Sequence, residues 1–101
     1  MASSKEYLDF VLDQCAGLSA RAMMGEYVLY YSGKVVGGIY DNRLLVKPTL
    51  SAITLLPEAP SALPYEGAKE MLLVENIEDR ELLQKLFEAM YTELPEPKKK
   101  R

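Results

Sequence analysis

Three short segments rich in β-branched and aromatic residues follow one another in the middle of this chain, with only turn residues between them. The segments are residues 27–31, 35–40 and 43–47, and the turns are Ser32-Gly33-Lys34 and Asp41-Asn42. Runs of this composition favour strands, and connections this short join antiparallel neighbours. The sequence therefore predicts a three-stranded antiparallel meander.

Amphipathic helices are predicted on either side of this meander. Ser3 and Glu6 have the spacing of a capping box, and apolar residues then recur every three or four positions as far as Cys15. Asn76, with Asp79 at the third position after it, has the same capping-box spacing and opens a last helix, whose apolar residues follow the same period. Two helices that each carry one apolar stripe are expected to pack on the meander.

The segment between the meander and the last helix is more irregular. Thr49 is a suitable cap for a short helical turn that carries Leu50, Ile53 and Leu56 on one side. Residues 57–67 contain three prolines and predict an ordered surface loop, and residues 70–75 predict a further strand. The expected order of elements is α-β-β-β-α-(β)-β-α.

A chain of 101 residues has room for one domain of ordinary size. We assign residues 1–95 to that domain and residues 96–101 to a basic tail, which we expect to be disordered. The predicted class is α+β.

The absence of histidine is the strongest chemical constraint in the sequence. It excludes a histidine general base, a Ser-His or Cys-His nucleophile pair and a histidine-ligated metal. The one cysteine, Cys15, lies on the apolar stripe of the first helix, so we expect an inert, buried thiol. The sequence predicts a protein that is not an enzyme and uses no metal or cofactor.

Composition and charge also bear on location and partners. One cysteine fits a reducing cytoplasm, and no signal-peptide pattern or membrane-spanning apolar run is present, so we expect a cytoplasmic protein with no membrane partner. The tail residues Lys98, Lys99, Lys100 and Arg101 hold four of the twelve basic residues, which leaves eight against fifteen acidic residues, or −7, elsewhere. Such an acidic body matches nucleic acid poorly, so nucleic-acid binding would be weak and would run through the tail.

Residues 21–48 carry a family resemblance. The stretch Arg21-Ala-Met-Met-Gly-Glu-Tyr27, followed by residues 28–34 and 38–48, resembles the N-terminal domain of the TfoX/Sxy family of bacterial competence regulators. The shared features are a basic residue, a methionine pair, an aromatic-rich strand, a Gly-Lys hairpin and an Asp-x-Arg turn into a strand that ends in lysine. The resemblance implies a two-layer fold, in which helices cover a twisted antiparallel sheet. It also implies a non-catalytic regulatory or protein-interaction module in bacterial transcriptional regulation.

Charged residues of the family-like stretch are the candidate interaction surface for a protein partner. They are Arg21, Glu26, Asp41, Arg43 and Lys47. The alternative is that these residues form ion pairs that hold the hairpins at the surface. Arg43 and Lys47 have the same parity on the third strand, with Leu45 between them, and we expect their shared face to be exposed.

Two further hypotheses concern ligands and self-association. Gly37 and Gly38 inside the second strand indicate a bulge or a place where another group approaches bare backbone. With Tyr65 they would line a closed pocket if the protein were a small-anion-binding or enzymatic domain. Because an edge strand is readily paired by a second copy, a homodimer is the other partner hypothesis. Met23 and Met24 are expected to fill gaps between the first helix and the sheet.

Overall fold

The computed structural model describes residues 3–95, which form one antiparallel sheet of six strands and three helices. The strands are β1 (Leu18–Met23), β2 (Glu26–Tyr31), β3 (Lys34–Ile39), β4 (Leu44–Val46), β5 (Ser61–Ala62) and β6 (Met71–Val74), and the helices are α1 (Lys5–Leu12), α2 (Leu50–Leu55) and α3 (Arg80–Tyr91). In space the strands lie in the order β1-β2-β3-β4-β6-β5. The predicted α+β class and order are confirmed, and β1 is an additional strand at the edge of the sheet.

Three hairpins join the first four strands through loops of two residues. The loops are Met24-Gly25, Ser32-Gly33 and Asp41-Asn42, and all six residues have positive φ. Two consecutive residues with positive φ form the type I′ turn, whose twist matches that of the strands it joins. The second and third turns were predicted from their residue types. The first was missed because methionine rarely adopts a positive φ.

Most of the hydrophobic core lies between the helices and one face of the sheet, which we call the helix-covered face. From α3, Leu83, Leu86, Phe87 and Met90 are fully buried. The ring of Phe87 stacks on that of Tyr31 at a centroid distance of 5.9 Å. This packing explains why the last helix forms where its apolar stripe predicts.

The start of α2 agrees with the sequence analysis, whereas α1 and α3 each begin later than predicted, and the cap of α3 is Asp79 and not Asn76. Thr49 and Asp79 cap α2 and α3, and their side chains accept the backbone N–H groups of residues 52 and 82. The cap of α1 is Ser4 and not Ser3, because the Ser4 hydroxyl accepts the N–H of Tyr7 at 3.1 Å. Ser3 is buried and contacts the sheet, as described below. Its predicted capping role is therefore wrong.

The short helix α2 faces the core with a different side from the one expected. Of the three residues predicted to share one side, Leu50 and Ile53 are 75% and 51% exposed, whereas Leu56 packs partly against the core. Ala52 is the fully buried residue instead. One turn and a half of helix cannot turn all its apolar residues inward, and the packing of α2 against α3 decides which one is buried.

Gly37 lies where the neighbouring strand comes close. A bulge shifts the pairing of β2 with β3 at Leu29/Tyr30. A Cβ atom built on Gly37 would lie 2.0 Å from the Leu45 carbonyl oxygen and 2.8 Å from the Cα of Val46. The group that approaches the bare backbone is therefore strand β4.

Strand β4 is buried on both faces, which corrects the expectation for Arg43 and Lys47. Leu44 and Val46 belong to the core under the helices, and Leu45, which points the other way, is also fully buried. Arg43 and Lys47 are half-buried. The reason is tertiary: β4 is an inner strand, and the chain after β5 is held against its other side.

Candidate interaction site

An open groove of about 760 Å³ lies on the side of the sheet opposite the helices, which we call the open face. One wall is formed by side chains of the first three strands, among them Met23, Val28 and Val35. The other wall is the segment after β5, with Pro64 and Tyr65. Most of the lining is apolar, and Met23 and Tyr65 are 40% and 59% exposed, so the groove is open to solvent.

Three basic side chains lie on or beside this groove. Lys47 and Lys69 line it, together with the carboxylate of Glu70. Arg21 is exposed and pairs in register with Val28, and alternation along β1 places its side chain on the open face. Within residues 3–95 none of these three cations makes an ion pair. The groove is thus a locally positive, apolar surface on an acidic protein.

Two of the three residues of the predicted pocket line this groove. Gly37 and Tyr65 line it, whereas the ring of Tyr40 covers Gly38, where an added Cβ would lie 2.5 Å from Tyr40 Cε2. Tyr40 and Tyr65 are ring neighbours, with centroids 6.1 Å apart. Burial raises the pKa of the Tyr40 hydroxyl, and the neighbouring Tyr65 and Glu26 raise it further. Tyr40 therefore stays neutral and forms part of the packed support of the groove.

The carboxylate of Glu26 holds the first residues and a turn together. Ser3 donates its N–H and its hydroxyl to Glu26 Oε1, at 3.0 and 2.5 Å. The N–H of Asp41 donates to both carboxylate oxygens at 3.2 Å. Asn42 adds a hydrogen bond from its N–H to the Ser3 hydroxyl. Glu26 and Asp41 are thus brought together, through the backbone of the turn.

We expect Glu26→Gln to destabilise the protein by about 1 to 2 kcal/mol. The oxygen of a glutamine amide can replace Oε1, but its NH₂ group would take the place of Oε2 and face the Asp41 N–H that now donates to that oxygen. The substitution also removes the negative charge that strengthens the bonds from Ser3 and Asp41. Urea unfolding measures the loss, and faster hydrogen exchange at Asp41 localises it.

The matched control is Glu66→Gln, because Glu66 is exposed. Its stability should equal that of the wild type. Equal stability of the Glu26 variant would contradict the structural role given to this carboxylate.

Arg43 is also engaged within the fold. Its Nε donates to the carbonyl of Tyr40 at 3.1 Å, and its Nη2 donates to the carbonyl of Leu63 at 3.1 Å. These bonds tie the third turn to the segment that forms the far wall of the groove. Arg43 therefore positions that wall.

Of the five residues proposed from the sequence, the structure leaves two basic ones on the groove side. Arg21 and Lys47 are there, whereas Glu26 and Arg43 bond to the chain itself and Asp41 is exposed in the third turn. Lys69 was missed, because nothing local shows that the proline-rich segment returns to the open face.

The two methionines do not fill gaps under the first helix. Met23 lines the groove, and Met24 is 99% exposed in the first turn. The expectation of buried gap-filling residues is therefore wrong. Both belong to the edge hairpin formed by β1 and β2, whose end projects beyond the core.

Cys15 is buried, as predicted, although it lies beyond the end of α1 at Leu12 and not on the stripe of that helix. Its Sγ lies 3.3 Å from Gln84 Oε1, within hydrogen-bonding distance. Burial raises the pKa of this thiol, and the nearby Glu88 carboxylate raises it further. A thiol held protonated in this way is a poor nucleophile.

The other surface features give weaker evidence for a binding site than the groove does. A second depression, of about 700 Å³, follows the N-terminal part of α3, and its lining mixes acidic and basic helix side chains. Within residues 3–95 there is no group of three or more Cys, Asp or Glu side chains placed to hold a metal ion. No helix in this range is both long and apolar enough to span a bilayer. The predicted nucleic-acid tail, residues 98–101, lies outside the described residues.

These features define a small α+β protein whose antiparallel sheet has a helix-covered face and a partly open face with an apolar groove. The chain is 38% identical over 103 residues to the "Uncharacterized 12.7 kDa protein in trpE 5'region" of Spirochaeta aurantia, and the alignment covers 97% of this chain and 89% of that protein. The chain therefore belongs to the same family as that protein. No protein-family model matches it, and no solved structure matches it.

Proposed function

We propose that this protein is a non-catalytic, cytoplasmic interaction module, of the regulatory kind implied by its resemblance to the TfoX/Sxy N-terminal domain. The observation that carries the proposal is the groove on the open face, where an apolar lining adjoins cations without a carboxylate partner in the described residues. Exposed apolar surface bordered by polar groups is typical of a place where another molecule binds.

The charges around the groove indicate the chemistry of the partner. Arg21, Lys47 and Lys69 lie there with a single lining carboxylate, Glu70. On a chain body with a net charge of −7, this surface favours an acidic ligand. We infer that the partner presents a protein segment that combines acidic and apolar side chains.

The absence of a catalytic role in this proposal rests on residue chemistry. The chain has no histidine, and its one thiol is buried with a raised pKa. Hydrogen bonds to backbone groups engage Glu26 and Arg43. What is left at the groove is a shaped, charged surface, which can bind and orient a partner.

Selection from a library of displayed peptides tests the proposal directly. We expect the wild type to enrich peptides that combine Asp or Glu with apolar residues. Lys47→Glu should weaken binding of an enriched peptide by about tenfold, because it reverses a charge that lines the groove. The matched control is Lys85→Glu, an exposed lysine on α3 away from the groove, which should bind as the wild type does.

Two outcomes would overturn the proposal: no enrichment of acidic and apolar peptides, or an equal loss of binding in both variants. A second experiment compares the chain that ends at Pro97 with the full chain in pull-downs from nuclease-treated lysate. Binding that depends on the tail and disappears with nuclease would instead identify nucleic acid as the partner.

A further inference from the structure

We propose that β1 is a self-association edge, through which two copies of this chain join their sheets by antiparallel pairing of β1 with β1. This inference does not rest on the proposed function, because it is argued from the backbone of the edge strand, although the Arg21 side chain borders both the groove and this edge.

The first hairpin shows which backbone groups of β1 are available. Its two-residue loop, Met24-Gly25, has positive φ at both positions, so the flanking pair Met23–Glu26 is hydrogen-bonded. Hydrogen-bonded and non-hydrogen-bonded pairs alternate along an antiparallel ladder. Residues 23, 21 and 19 therefore bond to β2, and residues 22, 20 and 18 direct their N–H and C=O groups away from the sheet.

Those outward groups are unpaired at the centre of the strand. In the described part of the chain, β1 pairs only with β2, and the backbone groups of Ala20 and Ala22 make no hydrogen bond to another segment. Ala22 is exposed and Ala20 half-buried. The edge also lacks the usual protection, because the strand contains no proline or bulge and only one charge, Arg21.

A second copy is the partner that this edge fits best, because one register satisfies both strands. With Ala20 opposite its own copy, the two Ala20 residues can exchange both of their hydrogen bonds, and Leu18 faces Ala22 of the other strand. The Leu18 N–H already donates to the carbonyl of Cys15 at 3.4 Å, so each Leu18–Ala22 pair adds one bond, from the Ala22 N–H to the Leu18 carbonyl. The same register places Arg21 beside Ser19 of the other copy. The symmetry is twofold, so each copy completes the ladder of the other.

Charge favours this register over the neighbouring one. Pairing centred on Arg21 would set two guanidinium groups directly opposite each other, and like charges placed in this way destabilise a strand pair. No carboxylate lies between Asp13 and Glu26, so the edge itself carries no acidic repulsion between two acidic chains. The pairing therefore joins the part of each copy where repulsion is weakest.

Sedimentation velocity from micromolar to millimolar concentration tests the association. We expect a monomer–dimer equilibrium in the wild type and a monomer for Ala22→Pro, which removes an outward N–H but no bond to β2. The matched control Ala22→Thr keeps that N–H and should dimerise. Sedimentation of the wild type as a monomer throughout would overturn the proposal, as would equal dimerisation of the proline variant.

Two further measurements do not depend on the folding of the proline variant. Hydrogen exchange at the amides of Ala20 and Ala22 should slow as the protein concentration rises, and rates independent of concentration in a dimer would refute pairing through β1. Ser19→Glu should tighten dimerisation several-fold, because each copy would then place a new carboxylate beside Arg21 of the other, which gives two opposite-charge pairs in each dimer. Unchanged or weaker association would refute the register.

Discussion

Replacing Gly37 with alanine is expected to lower the free energy of unfolding by about 3 kcal/mol. The new methyl group would lie 2.0 Å from the Leu45 carbonyl oxygen, so strand β4 must move away from β3. Alanine in place of glycine ordinarily strengthens a strand by about 0.5 to 1 kcal/mol. A loss of stability would therefore indicate a steric clash between residue 37 and strand β4. Thermal unfolding should show a midpoint lowered by about 15 °C.

The matched comparison is Gly38→Ala, at the next position of the same strand. Its new Cβ would meet the ring of Tyr40 at 2.5 Å, which can turn aside, and the backbone carbonyl of Tyr27 on β2 at 2.7 Å, an overlap less severe than the 2.0 Å at Gly37. We expect a smaller loss than at Gly37. A Gly37→Ala protein as stable as the wild type would show that β3 and β4 are not packed as described.

Lys34→Met should destabilise the protein by about 2 kcal/mol and loosen the end of α3. Lys34 is only 5% exposed, and its Nζ donates to the carbonyls of Tyr91 and Leu94 at 2.9 and 3.1 Å. The ammonium also lies 4.1 Å from the centroid of the Tyr91 ring. It thus neutralises the negative end of the last helix. Methionine keeps most of the side-chain volume and removes every donor.

The control for Lys34→Met is Lys69→Met, which removes an exposed lysine whose side chain makes no hydrogen bond within residues 3–95. Urea unfolding should separate the two variants, and hydrogen exchange in residues 92–95 should quicken only in the first. Equal stability of Lys34→Met and the wild type would mean that the free-energy cost of burying the ammonium cancels the stabilisation from its hydrogen bonds.

The role of Lys34 shows how far a motif can be read without a structure. The Gly-Lys hairpin is part of the family-like pattern, and the turn it predicts is present at Ser32-Gly33. The lysine itself points to the helix-covered face and caps α3. This placement depends on a contact between Lys34 and Tyr91, which are 57 positions apart in the sequence. No local rule predicts such a contact.

The candidate site shows the same difference between what local sequence predicts and what long-range contacts decide. The sequence singled out Arg21 and Lys47, which lie on the groove side, but it also selected Glu26 and Arg43, which hydrogen bonds commit to the fold. Charge alone cannot separate these cases. A charged side chain becomes structural when a distant backbone group comes within reach, as Leu63 does for Arg43.

Local chemistry in the sequence determined the turns at Ser32-Gly33 and Asp41-Asn42, the cap of α2, and the apolar stripe of α3. Each of these depends on residues within a few positions of one another, so propensity and spacing are sufficient. Only the tertiary structure decided that β1 is a strand, that both faces of β4 are buried, and that the segment after β5 returns to form the groove. Those outcomes depend on pairing and burial between distant parts of the chain, whose free energy outweighs the weak local preferences of residues such as Leu18, Ala20 and Met23.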